Sequence, residues 1–215
     1  MTIMHGALQS FDTWQLVALA ATLGWASGLR LYAVLFVTGL LGYFDWVQLP
    51  HGLAVLSHPF VLAASGFMCF VEFFADKIPG VDTLWDAVHT IIRIPAGAAI
   101  AASLFGDLGP AWMIGAAILG GGLAAGSHLA KAGGRAAINA SPEPFSNWTA
   151  SFSEDFVVGV LLWLAFTHPF VALALVLLLI ALAIWLVPKL WRGLRRLFGT
   201  LRGDAHRPLP RNNGA

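Results

Sequence analysis

Polar and apolar positions segregate into blocks along this chain. Six apolar stretches follow one another: Trp14 to Tyr43, Pro59 to Ala75, Thr83 to Phe105, Ala111 to Ala130, Ser153 to Phe166 and Pro169 to Val187. A helix needs ~20 apolar residues to cross a hydrocarbon core of about 30 Å. The blocks therefore predict an all-α protein, a polytopic transmembrane helical bundle of about six spans. Prolines mark the gaps, at Pro50, Pro59, Pro79, Pro110, Pro142, Pro144 and Pro169. A proline at a first helical position loses nothing, since its missing N–H would be unpaired there anyway. The first stretch is long for one span and carries Ala26-Ser27-Gly28-Leu29-Arg30 at its middle. It is expected to tilt strongly or to break near Gly28, and a break would turn freed backbone groups toward a cavity. The fifth is short, so it either borrows residues from its polar flank or falls short of a full crossing.

The polar residues inside these blocks are costly there, which makes them the first candidates for function. Asp82, Asp86, His89 and Arg93 stand at offsets 0, 4, 7 and 11, one stripe of a helix. Glu72 and Asp76 form a second acidic stripe at the preceding helix end, and the turn through Lys77 and Gly80 brings the two together. His128, Lys131 and Arg135, at offsets 0, 3 and 7, make a basic edge on the fourth span. Asn139, Ser141, Glu143, Ser146 and Asn147 follow in a segment with two prolines, read as a loop that either dips into a protein-lined cavity or forms an ordinary connection. Glu154 and Asp155 open the fifth span. Arg30, isolated in the first, is expected to face the bundle and pair with Glu72 or Asp76. Acidic groups beside a histidine can bind a divalent cation, relay a proton, or neutralise neighbouring cations. If a metal is bound, Asp82, Asp86 and His89 are the candidate ligands; otherwise the stripes form a salt-bridge network that fixes the helical hairpin.

Composition agrees with the pattern. The chain is 58% hydrophobic and 11% charged, too little polar surface for a soluble globule of 215 residues. Seven of the twelve Lys and Arg residues follow the last apolar block. Residues 189–203 read as a basic amphipathic helix on a membrane surface, after a transmembrane domain over 1–188 and before a disordered tail over 204–215. With six spans and a cytoplasmic C-terminus, the N-terminus is also cytoplasmic. The connections carrying Lys77, Lys131 and Arg135 then lie inside, and those near 44–58, 107–110 and 167–168, which lack Lys and Arg, lie outside. The lone Cys69 excludes a disulfide within the chain and reads as a buried structural thiol.

A sequence echo runs through the chain: Ser57-His58-Pro59-Phe60-Val61 against Thr167-His168-Pro169-Phe170-Val171, and Ala26-Ser27-Gly28-Leu29-Arg30 against Lys131-Ala132-Gly133-Gly134-Arg135. It suggests an inverted repeat, a common transporter plan, in register only if the first helix counts as two; proline usage at helix starts is the plainer explanation. Gly120, Gly121, Gly122 and Gly126 predict a close helix-packing surface. Trp14, Trp46, Trp85, Trp112, Trp148 and Trp191 read as interfacial anchors. Phosphate-loop, paired-cysteine, zinc-protease and serine-hydrolase motifs are missing, so neither ATP-driven transport nor the common hydrolase schemes gain support.

Two strings, Glu72-Phe73-Phe74-Ala75-Asp76-Lys77-Ile78-Pro79-Gly80-Val81-Asp82-Thr83-Leu84-Trp85-Asp86 and Lys131-Ala132-Gly133-Gly134-Arg135-Ala136-Ala137-Ile138-Asn139-Ala140-Ser141-Pro142-Glu143-Pro144, resemble the bacterial membrane family catalogued as domain of unknown function 4126. The resemblance covers most of the chain to about Val187. It implies a multi-pass protein of the inner membrane and brings no substrate or reaction. The leading expectation is a small secondary transporter or permease for an ionic solute. Its cytoplasm-facing polar cavity is lined by Arg30, Glu72, Asp76, Asp82, Asp86, His89, Arg93, His128, Lys131, Arg135, Asn139, Glu143, Glu154 and Asp155. No cofactor is called for beyond a divalent cation at most. Expected partners are membrane lipids, the small ionic solute and, in an oligomer, further copies of the chain; nucleic acid is not among them. The alternatives are a membrane-embedded, metal-dependent enzyme acting on a lipid head group or phosphate ester, and a non-transporting scaffold.

Overall fold

A computed structural model describes residues 11–78, 80–139 and 144–204. Among them are six α-helices: α1 (Thr13–Tyr43), α2 (Pro59–Ala75), α3 (Val81–Ser103), α4 (Pro110–Asn139), α5 (Pro144–Thr167) and α6 (Pro169–Asp204). Two 3-10 helices, His51–Ser57 and Gly106–Leu108, join them, and the described residues contain no strand. The helix starts are set locally. Asp12 and Gln15 form a capping box on α1, and the His58 side chain accepts from Phe60 N–H ahead of Pro59 on α2. Gly80, at φ +85°, makes the tight turn into α3.

Burial is inverted relative to a water-soluble protein. Arg30, Glu72, Asp76, Asp82, Arg93 and Arg135 are buried, while Phe60, Ile91, Ile118 and Trp163 are exposed. On α3 the two faces separate cleanly: Asp82, Asp86, His89 and Arg93 turn inward, and Leu84, Val88 and Ile91 form the outer stripe. Only an apolar solvent outside rewards that arrangement. Four helices, α1, α4, α5 and α6, are long and apolar enough to cross a membrane; the 3-10 helix at His51–Ser57 and α2, bent by 72°, together make a fifth candidate. The charges of α3 keep it off that count, although 23 residues span about 34 Å.

The first helix breaks near Gly28, at Arg30, whose φ of −143° and ψ of 75° leave the helical region. Residues 13–29 run alongside α4 in the same direction. Val17 lines a cavity with Phe105 and Ala111, Gly24 lies against Gly120, and Gly28 against Ala124 and Ser127. Residues 31–43 then run against α2, with Phe36 beside Gly66 and Gly39 beside Leu62. The chain thus descends to Arg30 and turns back, leaving both ends of α1 at the end of the bundle where Gly52 meets Ser103.

Two expectations change as a result. Both termini were expected on one side because residues 14 to 43 were read as one crossing. With the reversal, Asp12 lies at one end of the bundle, and Val187, packed against Gly133, lies at the other. The echoing segments also run in the same sense, α1 to Arg30 with α4, and α2 with α6, so the relation between them is not inverted. The fifth span borrows its polar flank, as one of the two expectations had it: α5 begins at Pro144, making Ser146 and Asn147 helical and not part of a loop. Residues 140–143, with Ser141 and Glu143, lie outside the described residues, as do 205–215 of the tail. Residues 189–203 continue α6 through Pro188 without a break.

Three helices meet on glycine. A Cβ built on Gly24 would sit 2.7 Å from the Cα of Gly120, and one on Gly97 would sit 2.7 Å from the Cβ of Ala124. Around this contact Leu19, Leu23, Ile100, Ala101 and Phe105 form the apolar core. The close packing of α1, α3 and α4 carries their polar ends to one place.

Candidate functional site

That place is the end of the bundle where α2 stops, α3 starts, α4 ends and α5 starts. Arg30 enters from the break in α1. Its Nη1 lies 2.6 Å from Asp76 Oδ2 on the C-cap of α2, and its Nη2 lies 2.9 Å from Asp155 Oδ1 on α5. Nη2 also donates to Ser151 Oγ at 2.9 Å. Lys131 on α4 shares Asp76 Oδ2 at 2.6 Å and reaches Asp86 at 3.3 Å and Glu154 at 3.5 Å. Its Nζ also donates to Leu29 O at 3.3 Å, next to the break in α1. Arg93 bridges Asp86 and Glu72, each at 2.7 Å. Arg135 lies 3.2 Å from Glu154 and 3.7 Å from Asp82, and donates to Asp76 O and to the Asn147 side chain.

Acceptor chemistry fixes both nitrogens of His128 and one of His89. Arginine only donates, so His128 Nδ1 accepts from Arg93 Nη1 at 3.2 Å. The proton is then on Nε2, donated to Thr90 Oγ1 at 2.7 Å, and Thr90 in turn donates to Asp86 O. Trp85 O only accepts, so His89 Nδ1 donates to it at 2.8 Å, while Nε2 pairs at 3.2 Å with Tyr32 Oη, a hydroxyl that can serve as donor or acceptor. The His128 ring is neutral in this arrangement.

Arg30, Glu72, Asp76, Asp82, Asp86, His89, Arg93, His128, Lys131, Arg135, Glu154 and Asp155 therefore come together, as the stripes predict. Asn139 ends α4, and its side chain, like Glu143, lies outside the described residues. Two features depart from expectation. The charged groups contact one another directly where a cavity lining was expected, and Arg30 and Arg93 are 1% and 0% exposed. Glu154 and Asp155, with 17% and 30% of their side chains exposed, are the most open of these groups. Asp82, Asp86 and His89 do not converge as a ligand set, and no group of three or more metal-ligating side chains does so among the described residues. Asp82 accepts from the backbone of Gly80 and Thr83, Asp86 holds two cations, and both nitrogens of His89 are engaged.

Ser151, Tyr32 and Thr90 join the site without having been named in the sequence, and Asn147 and Lys77, read there as parts of connections, join it too. Asn147, Ser151, Glu154 and Asp155 form one stripe at offsets 0, 4, 7 and 8, legible once α5 is begun at Pro144. Lys77, in the connection after α2, lies 3.1 Å from the centroid of the Phe73 ring and 3.4 Å from Asp155. Burial pulls its ammonium down from the ordinary lysine value, and Asp155 opposes that. Trp85, expected at the interface, stacks on His89 with centroids 4.0 Å apart.

An all-helical bundle with an apolar exterior and a charged interior at one end defines an integral membrane protein. Residues 17–189 match the family model described as Domain of unknown function (DUF4126), and the chain belongs to that family. No curated protein and no solved structure matches the chain.

Proposed function

We propose that the chain is a small secondary transporter of an ionic solute, closed in this conformation, with its charge cluster facing the cytoplasm. The observation that carries the reading is the break of α1 at Arg30 inside the cluster. Transporters commonly build ion sites from discontinuous helices, whose freed backbone groups and dipole ends face the transported ion. A second feature supports it: Lys131 has three carboxylates in reach, Arg30 two and Arg135 two. Such cations can change partner without leaving a bare charge, which an opening motion requires.

Basic residues support the orientation. Lys77, Lys131, Arg135 and the basic residues that follow Val187 in α6 lie at the cluster end, while the connections at the other end carry no Lys or Arg. By the positive-inside rule the cluster end is cytoplasmic and Asp12 is outside, with α2 and α3 also crossing an inner membrane.

A scaffold role is the second reading, favoured by the direct pairing of the cluster's cations with its carboxylates. The metal-dependent enzyme loses its support with the ligand set. Flux of sodium, potassium, chloride, phosphate and small carboxylates into proteoliposomes, with and without a pH gradient, separates transport from scaffold. Wild type is expected to move at least one of them, and Asp86→Asn to reduce that flux by about tenfold, equivalent to about 1.4 kcal/mol. Equal flux in the two proteins for every ion would leave the scaffold.

A further inference from the structure

The closed cluster does not balance its charges. Among the described residues, six carboxylates (Glu72, Asp76, Asp82, Asp86, Glu154 and Asp155) meet five lysine and arginine cations (Arg30, Lys77, Arg93, Lys131 and Arg135), and His128, which accepts from Arg93, is neutral. One negative charge in excess is expensive where water is excluded.

The pairing differs from one carboxylate to the next. Asp76 Oδ2 holds two cations at 2.6 Å, and Asp86 Oδ1 holds two at 2.7 and 3.3 Å. Glu154 and Asp155 each have two cations and some exposure. Asp82 has two backbone N–H donors in addition to Arg135. Glu72 has one salt-bridge cation, Arg93, shared with Asp86, and it is 1% exposed. Its Oε1 accepts from Arg93 and its Oε2 has no hydrogen-bond partner; Asp76 Oδ1 and Asp86 Oδ2 have none either, but the other oxygen of each aspartate holds two cations.

We infer that Glu72 is a proton-binding site: in the closed cluster Oε2 carries a hydrogen, and release of that H⁺ is the event that loosens the ion pairs. Its role in coupling rests on the transport reading; the protonation itself does not. With Glu72 neutral, five carboxylates face five cations. Loss of the proton restores an ionised Glu72 beside Arg93, which draws Arg93 from Asp86 and frees Asp86 and Lys131 to exchange partners. The charged and titratable groups around Glu72 are Arg30 and Tyr32 on α1, Cys69 and Asp76 on α2, Arg93 on α3 and Lys131 on α4. From α5, Asp155 bears on it through Arg30.

Infrared spectroscopy of the reconstituted full chain tests the assignment. At neutral pH a carbonyl stretch of a protonated carboxyl is expected. It should shift on labelling with carbon-13 glutamate, of which the chain has three, Glu72, Glu143 and Glu154. The band should vanish in Glu72→Gln and persist in Glu154→Gln. Glu72→Gln reproduces the shape of the neutral acid, so it should fold with an unchanged thermal midpoint. Failure of Glu72→Gln to fold, absence of a glutamate band in wild type, its survival in Glu72→Gln, or its appearance only when sodium is removed would each overturn the assignment. Flux reports separately. A band with no flux of any ion removes transport and keeps the proton on Glu72. Flux driven by a pH gradient, without the band, does the reverse.

Discussion

Gly24 of α1 and Gly120 of α4 touch through their backbones, so that a Cβ on Gly24 would lie 2.7 Å from the Cα of Gly120. Backbone atoms cannot rotate away as a side-chain end can. Gly24→Val therefore has to separate the helices, and a loss of about 1–3 kcal/mol is expected, the usual range for overpacking. For a chain of this size that is roughly 2–4 °C in thermal midpoint per kcal/mol. Gly122, which has nothing within 4 Å of its would-be Cβ, is the control. Gly122→Ala should leave the midpoint in detergent unchanged or slightly raised, because alanine is the better helix former.

Arg30 occupies a break in the backbone and spans three helices, with Asp76 on one side and Asp155 and Ser151 on the other. Arg30→Ala removes one partner of buried pairs, a change that costs about 3–5 kcal/mol. Arg30→Lys should recover part of that loss, since a single ammonium can hold Asp76 but lacks the fork that reaches α5. Thermal unfolding in detergent orders the three proteins as wild type, then lysine, then alanine. Equal midpoints for lysine and alanine would show that charge at this position contributes nothing.

The helix positions were legible because membrane spans follow from apolar length, and the structure places all six near the predicted blocks. The stripe of Asp82, Asp86, His89 and Arg93 was legible too, since helical spacing alone determines which side chains share a face. The reversal at Arg30 was not. Thirty apolar residues look the same whether they cross once or turn back; only the contacts of Gly24 with Gly120 and of Gly39 with Leu62 distinguish the two. The start of α5 was misplaced for a related reason. Asn147 and Ser151 are polar, but they face Arg135 and Arg30 inside the bundle, so the hydropathy dips where the helix does not.

His128 accepts from Arg93 at 3.2 Å and donates to Thr90 at 2.7 Å, which requires the neutral ring with its proton on Nε2. An asparagine can still offer an oxygen to Arg93, whereas a leucine removes the acceptor and leaves Thr90 without this partner. His128→Leu is expected to cost about 1–3 kcal/mol, in line with an unsatisfied buried polar group, and His128→Asn less. Nitrogen-15 spectra of the imidazole should show a proton on Nε2 that persists at mildly acidic pH. A doubly protonated ring at neutral pH would contradict the Arg93 contact.

The reversal of α1 at Arg30 makes the sides of the membrane testable. A single crossing over residues 13–43 would place Asp12 and the connection after α2 on the same side; the turn at Arg30 places them on opposite sides. Both are reachable, since Asp12 is exposed and Ile78, in that connection, is 52% exposed. In a Cys69→Ser background, single cysteines at Asp12→Cys, Asp45→Cys and Ile78→Cys can be labelled with a membrane-impermeant thiol reagent. In sealed vesicles of one orientation, Asp12→Cys and Asp45→Cys should react together, and Ile78→Cys only after permeabilisation or in vesicles of the opposite orientation. Labelling of Asp12→Cys together with Ile78→Cys, and not with Asp45→Cys, would restore the single crossing and remove the broken helix from the charge cluster.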